Sequence, residues 1–176
     1  TIPCSMGFAT NKPEKNGVTI FSAFGCNSLQ NFSNPEALHM GFENCDRMFE
    51  LTIHEFGHTF VQYSVKQMPL DLIKKTEKLF DPIQVAMENQ GYTTWYATVD
   101  EHLVRAGEVI ILHNLGLKEQ AQKLYNDYKI KKSFKYIDEV LEELNLYGKD
   151  KNVSYAETVN RILTKLVKAT DTLVES

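Results

Sequence analysis

The spacing of hydrophobic residues divides the chain into a short strand-like part and a long helical part. Residues 6–26 contain two runs rich in β-branched and aromatic residues, "MGFAT" and "VTIFSAFGC", separated by "NKPEKNG". The Asn16-Gly17 pair between two such runs is typical of a hairpin turn. From about Asp46 onward, apolar residues recur at helical spacing. The pattern therefore predicts a β-hairpin followed by a helical remainder.

Capping residues, prolines and glycines mark the limits of six predicted helices. Proline fits the first position of a helix, and glycine commonly follows the last turn. A Ser-x-x-Glu capping box also signals a helix start. The six segments are Asp46–Lys66 with Asn44 or Asp46 as N-cap, a helix opened by Asp81-Pro82, Trp95–His113 ending at Gly116, residues 118–132, residues 134–148, and residues 154–175 opened by Ser154 and Glu157.

The predicted fold class is α+β, with a small N-terminal antiparallel sheet followed by a mostly helical domain. With 176 residues, of which 43% are hydrophobic, the chain is long enough to bury one sizeable core. We expect residues 1–116 to form a metal-binding core and residues 117–176 to form a C-terminal helical part packed on it. The two parts should make one domain overall.

Composition excludes several classes of partner. The net charge of −4 and the pI near 5.7 argue against a nucleic-acid partner, which usually needs clustered Lys and Arg. No stretch approaches the roughly 20 consecutive apolar residues of a membrane span. The three cysteines, Cys4, Cys26 and Cys45, contain no Cys-x-x-Cys pair, which excludes a zinc-ribbon or thioredoxin-type protein.

The stretch "TIHEFGHTF", Thr52 to Phe60, carries the candidate chemistry. Residues four apart on a helix lie on one face with Cβ atoms about 5–6 Å apart, so His54 and His58 can offer two imidazole nitrogens to one ion. Glu55 lies beside them. His-Glu-x-x-His on a helix is the pattern of a zinc site in which the glutamate acts as general base.

The faces of this helix separate the motif from an apolar stripe. At about 100° per residue, the histidines and Glu55 cluster away from Ile53. The stripe should pack in the core while the motif lines a cleft. The apolar stripe consists of Phe49, Ile53, Phe56 and Phe60.

The third metal ligand is left open by the local pattern. Catalytic zinc usually takes three protein ligands and keeps a fourth position for water. No histidine lies between His58 and His102, which excludes the metzincin arrangement. If Val99, Leu103, Ala106 and Ile110 form the core stripe of the later helix, periodicity slightly favours His102 over Glu101. The candidates are Asp100, Glu101, His102, Glu108 and, more remotely, Cys26.

Three segments resemble a known class of domain: "HEFGHTFV", "QGYTTWY" and "EHLVRA". Together they look like a family of uncharacterised bacterial zincin-like domains, in which His-Glu-Phe-x-His-x-Phe is followed by Glu-x-x-x-Arg. The resemblance covers roughly Thr52 to Ala106. Where that family has Asn soon after the Phe, this sequence has Val61-Gln62, so a role for that amide does not carry over.

The resemblance implies a zincin-like fold and a gluzincin-type site. Glu101 is then the third ligand of one zinc ion, and Arg105 orients Glu101 or binds a substrate carboxylate. In gluzincins a Tyr or His stabilises the oxyanion. Tyr96 is the first choice here, and His102 the second. The other two available residues are Tyr92 and His113.

The expected function is that of a zinc metallopeptidase acting on a peptide or protein substrate, with Glu55 as general base. A different zinc amidase is the alternative enzyme. A zincin scaffold that serves as a binding or structural module is the alternative outside enzymes. The resemblance to exported bacterial domains implies an extracytoplasmic location, whether secreted, periplasmic or surface-anchored.

Overall fold

The computed structural model describes residues 7–14, 17–24, 44–150 and 152–174. These residues contain two strands, seven α-helices and three single helical turns. The strands and α-helices are β1 Gly7–Glu14, β2 Gly17–Phe24, α1 Cys45–Val65, α2 Leu70–Thr76, α3 Gln84–Glu88, α4 Trp95–Asn114, α5 Lys118–Asn126, α6 Ile137–Tyr147 and α7 Tyr155–Val174. The single turns are two 3-10 turns, Glu77–Leu79 and Asp81–Ile83, and one π-helical turn, Asp127–Lys131.

The chain divides into two compact units, Thr1–Phe60 and Val61–Ser176. The division falls inside α1, which is one continuous helix. In the first unit, β1 and β2 pair antiparallel, with Gly7 opposite Phe24. The expected division at residue 116 lies within the second unit and stays a prediction.

The predicted fold class, α+β with a small N-terminal sheet, is wrong, because the protein is mostly helical. Among the described residues, the two strands form a sheet of two strands only, and all the other elements are helical. In the helical part of the chain, the buried side chains begin at Leu51 and lie in helices and the turns between them. A two-stranded ribbon offers too little surface to build a core layer.

The core of the second unit is built from helices packed on helices. The helix α4 packs against α5 and α6, while α7 packs against α2 and α6. Phe134 lies fully buried among the aromatic rings of Tyr92, His102 and Tyr128, with ring centroids 6.3, 4.8 and 5.8 Å away. Aromatic contacts of this kind hold α4 to the segment that follows α5.

Buried polar side chains in this core find partners on other elements. The indole nitrogen of Trp95 donates to Thr76 Oγ1 at 2.9 Å. The hydroxyl of Tyr136 donates to the backbone oxygen of Leu79 at 2.7 Å. A buried polar group without a partner costs free energy, so these bonds hold the start of α4 to the end of α2 and the start of α6 to the first 3-10 turn.

Several helix limits predicted from the sequence are confirmed. The side chain of Asn44 accepts a hydrogen bond from the backbone N–H of Arg47 at 2.9 Å, which caps α1. Ser154 caps α7 in the same way, through the N–H of Glu157 at 3.1 Å. Gly116 follows α4 with a φ of +82°, the left-handed conformation that favours glycine.

Other helix predictions are wrong. Asp81-Pro82 opens a single 3-10 turn before the short α3 rather than a long helix, and no side-chain cap forms there. The helix α2 was not predicted. Residues 118–132 do not form one regular helix, because α5 ends at Asn126 and a π-helical turn follows.

The apolar stripe predicted for α1 does not lie in the core along its length. Phe49 is 41% exposed and Phe60 is 67% exposed, whereas Leu51, Glu55 and Thr59 are buried. Periodicity separates the faces of a helix but does not identify which face is covered, since large apolar residues are often exposed on protein surfaces. The buried face of α1 therefore includes the glutamate of the motif.

The sequence does not predict a transmembrane segment. Of the helices formed by the described residues, none combines the length and the apolar character that crossing a bilayer requires.

The packing of α7 gives a first testable prediction. We expect Leu163→Ala to lower the free energy of unfolding by about 2–5 kcal/mol, because Leu163 is 0% exposed and its removal leaves a cavity. The same change at Leu146, which is 50% exposed, should cost less than about 1 kcal/mol. Urea unfolding followed by far-UV circular dichroism measures both. Equal losses would contradict the assignment of Leu163 to the core.

Candidate metal centre

The two motif histidines lie one turn apart on α1 with their ring nitrogens close together. His54 Nε2 and His58 Nε2 are 3.3 Å apart, and the rings are nearly perpendicular, at 81°. Both side chains are half-buried. The spacing four apart on a regular helix brings about this approach, as the sequence predicts.

Glu55 lies between the histidines in sequence and is buried, with 7% exposure. Neighbouring polar side chains on α1 are bound to their own helix. The hydroxyl of Thr52 donates to the backbone oxygen of Met48, and that of Thr59 to the backbone oxygen of Phe56, each at 2.7 Å. The carboxylate of Glu55 is thus a shielded acidic group on a helix whose threonines are occupied locally.

One glutamate of α4 joins the two histidines. His54, His58 and Glu101 each offer one ligand atom, and these atoms all lie within 4.8 Å of one another. Glu101 is itself buried, with 2% exposure. The residues that the sequence favours as ligands, two from the motif and one by resemblance, are those that the structure groups.

This donor set fits zinc. Two imidazole nitrogens and one carboxylate oxygen are the protein ligands of a common class of catalytic zinc site. Two nitrogens about 2.1 Å from one ion at the tetrahedral angle lie about 3.4 Å apart. The observed distance of 3.3 Å between the two Nε2 atoms is close to that value. It is slightly longer than the usual range for a hydrogen bond donated by nitrogen.

The glutamate belongs to a polar stripe that is buried, contrary to the periodicity argument. The sequence places Glu101 on the far side of α4 from Val99 and Leu103, yet all three side chains are buried. A helix that is covered on several faces does not show a single amphipathic stripe. Glu101, Arg105 and Glu108, spaced four and three apart, form a second, charged face inside the protein.

Arg105 is held between the two carboxylates. Its Nη2 lies 2.7 Å from Glu101 Oε1, and its Nη1 lies 3.3 Å from Glu108 Oε1. Burial lowers the pKa of Arg105, but the negative charges of Glu108 and Glu101 outweigh this effect and raise the pKa well above its usual value. The guanidinium therefore stays charged and fixes one oxygen of Glu101.

From the sequence, Glu108 is only a candidate metal ligand, and Tyr128 is not singled out. The hydroxyl of Tyr128 donates to Glu108 Oε2 and accepts from Arg105 Nη1 at 3.1 Å. The spacing in "EHLVRAGE" contains a signal for Glu108, because residues three apart are neighbours on a helix. No local pattern identifies Tyr128, which lies 23 positions after Arg105.

Two tyrosines lie near the start of α4 in different environments. Tyr92 lies close enough to Glu101 and Arg105 for their charges to act on its hydroxyl. Burial, with the negative charge of Glu101, raises the pKa of Tyr92 to about 12. Tyr96 is 37% exposed, and burial followed by the charge of Asp100 raises its pKa. Tyr92 is thus already engaged by the polar cluster, whereas Tyr96 faces solvent in part.

His102 lies in the aromatic core rather than in the ligand group. Its Nδ1 donates to the backbone oxygen of Thr98 at 2.7 Å, and its ring contacts Phe134 and Tyr136. Its Nε2 is buried, with no hydrogen-bond partner among the described residues. Burial lowers the pKa of His102 to about 4, against the raising effect of the Thr98 bond. His102 is a neutral core histidine.

Two other candidates lie elsewhere. His113 is exposed near the end of α4. Cys26, the remote alternative for the third ligand, lies outside the described residues.

Fold and site together define a mostly helical protein with a His-Glu-x-x-His helix and a buried glutamate grouped with its histidines. The chain belongs to the family described as "Domain of unknown function (DUF4932)", whose model matches residues 4–168. Comparisons with curated proteins and with solved structures give no match.

The buried His102 gives a prediction for the effect of pH on stability. Its pKa is about 4 in the folded protein and about 6.5 in the unfolded chain, so the unfolded state binds more protons between these values. The free energy of unfolding should therefore fall as the pH drops from 6.5 towards 4, by about 3 kcal/mol in all. Urea unfolding of chelator-treated protein at pH 7 and pH 4.5 measures this loss.

A variant without the imidazole provides the comparison. His102→Phe should show a smaller loss between the two pH values, and His113→Phe should behave as the wild type, because His113 is exposed. For each protein, the free energies of unfolding at the two pH values are subtracted. A packing change that is the same at both pH values then cancels. A wild-type pH dependence in His102→Phe would show that His102 is not buried in its neutral form.

Proposed function

We propose that the protein is a zinc-dependent hydrolase of peptide bonds, with His54, His58 and Glu101 as ligands of one zinc ion. The grouping of these three side chains is the observation that supports the proposal, and the buried Glu55 follows His54 directly in the sequence. Two neutral imidazoles and a carboxylate leave one positive charge on the site. Three protein ligands would leave the fourth position that a catalytic zinc site gives to water.

Zinc, when bound, supplies Lewis acidity, which polarises a carbonyl group and lowers the pKa of water. Glu55 accepts a proton from the attacking water while the oxygen of that water forms a bond to the carbonyl carbon. Glu55 then gives that proton to the amide nitrogen as the carbon–nitrogen bond breaks. The shielded position of Glu55 suits this exchange, because few competing water molecules reach it.

Tyr96 is the proposed donor to the carbonyl oxygen as negative charge develops there. The neighbouring Tyr92 is more deeply buried, and burial with the negative charge of Glu101 raises its pKa to about 12. Tyr96 is partly exposed, so its hydroxyl is available to a substrate. A peptide or an unfolded protein is the proposed substrate class.

The proposed ligand set predicts the zinc content of matched variants. Wild-type protein purified with zinc should hold one zinc ion per chain, while Glu101→Gln and His58→Gln should lose most of it, because each removes one of three ligands. His113→Gln makes the same chemical change at an exposed histidine and should retain the metal. Elemental mass spectrometry on dialysed protein measures the stoichiometry. Full zinc content in Glu101→Gln would rule out Glu101 as a ligand.

The proposed base predicts a separation of binding from activity. Glu55→Gln should keep its zinc but cleave unfolded casein about 10²–10⁴-fold more slowly, because it cannot accept the proton. Glu50→Gln removes only a surface ion pair with Arg47 on the same helix and should keep wild-type activity. Fluorescence release from labelled casein, with and without a chelator, measures cleavage. Zinc binding without cleavage by the wild type would instead favour a binding or structural module.

A further inference from the structure

The charged cluster on α4 contains two carboxylates for one guanidinium. Glu101 and Glu108 are each about 3% exposed at the side chain, and Arg105, between them, is 16% exposed. Two carboxylates and one guanidinium give these three groups a net charge of −1. Arg105 is therefore shared between the two carboxylates.

Tyr128 fixes the far end of this cluster. It donates to Glu108 Oε2 and accepts from Arg105 Nη1, and the guanidinium carbon lies 4.9 Å from the centre of its ring. These contacts hold the guanidinium both by hydrogen bonds and by a cation–π contact with the ring of Tyr128. Arg105 therefore has little freedom to leave Glu101.

The backbone around Tyr128 is specialised for this placement. Tyr128 lies in the π-helical turn Asp127–Lys131, which follows α5 directly. A π-helical turn holds an additional residue and changes the direction of the side chains that follow α5. The backbone oxygen of Tyr128 also accepts from the N–H of Phe134 at 3.0 Å, which ties the turn to the aromatic core.

We propose that Glu108 and Tyr128 are positioning residues for the third zinc ligand, an inference that rests on the proposed function. They hold Arg105 so that it binds Oε1 of Glu101 and fixes the orientation of the carboxylate that would hold the metal. Because Arg105 is shared with Glu108, it does not neutralise Glu101 alone. The carboxylate of Glu101 therefore keeps its attraction for zinc.

The test is the zinc affinity of variants that leave all three ligands in place. Glu108→Gln and Tyr128→Phe should each bind zinc about 10–100-fold more weakly than the wild type, as is usual when a group that orients a ligand is removed. Competition with a chromophoric chelator measures the affinity. The matched controls are Glu119→Gln and Tyr147→Phe, which change surface residues and should bind as the wild type.

A second measurement separates positioning from general stability. Cobalt(II) in place of zinc has visible absorption that reports coordination geometry. The cobalt spectrum of Tyr128→Phe should differ from that of the wild type. Thermal unfolding of the same variant in the presence of a chelator tests whether the metal-free protein folds. A residue with only a structural role would lower the unfolding temperature and leave affinity and spectrum unchanged. If Glu108→Gln fails to fold, Tyr128→Phe decides the question.

The outcomes distinguish this inference from the function on which it rests. Unchanged affinity and spectrum in Tyr128→Phe, alongside loss of zinc in Glu101→Gln, would overturn the positioning role and leave the metal site intact. A wild type that binds no zinc would overturn both. Weaker binding and a changed spectrum in Tyr128→Phe, with controls unaffected, would support the inference.

Discussion

Pairing of a charged arginine inside the protein is the constraint on which much of this structure depends. A guanidinium is tolerated in a core only where anions and hydrogen-bond acceptors surround it. On α4, Arg105 meets Glu101 one turn before it and Glu108 one turn after it, and Tyr128 completes its contacts from outside the helix. This arrangement allows α4 to pass through the core with charged residues on it, and it fixes the rotation of α4 against the segment after α5.

The same pairing connects packing to the proposed chemistry. Glu101 is both a core residue, neutralised in part by Arg105, and the carboxylate that completes the group with His54 and His58. A ligand held by a buried salt bridge keeps its rotamer without the metal, so little conformational entropy is lost when an ion binds. In the proposed zinc site, the helical scaffold would therefore contribute to metal affinity through the stiffness of the Glu101 side chain.

Local chemistry made part of this predictable from sequence. The capping of α1 by Asn44, the glycine after α4 and the approach of His54 to His58 all follow from short-range rules. Fold class did not, because strong strand propensity near Val18 gives a hairpin but not a layer, and the core is formed by helices. The placement of Glu101 needed a family resemblance, since α4 is covered on several faces and periodicity fails there. Tyr128 was beyond local reasoning, because it reaches Arg105 only through tertiary packing.

The π-helical turn at Asp127–Lys131 has a consequence for how sequences in this family are aligned. Such a turn amounts to one inserted residue, so helical positions on its two sides are out of phase by about 100°. A relative that is one residue shorter in this segment would have a regular helix and would present a different side chain towards Arg105. A single-residue gap placed there would thus mark a change in the electrostatics of the distant site, and not merely a tolerated loop variation.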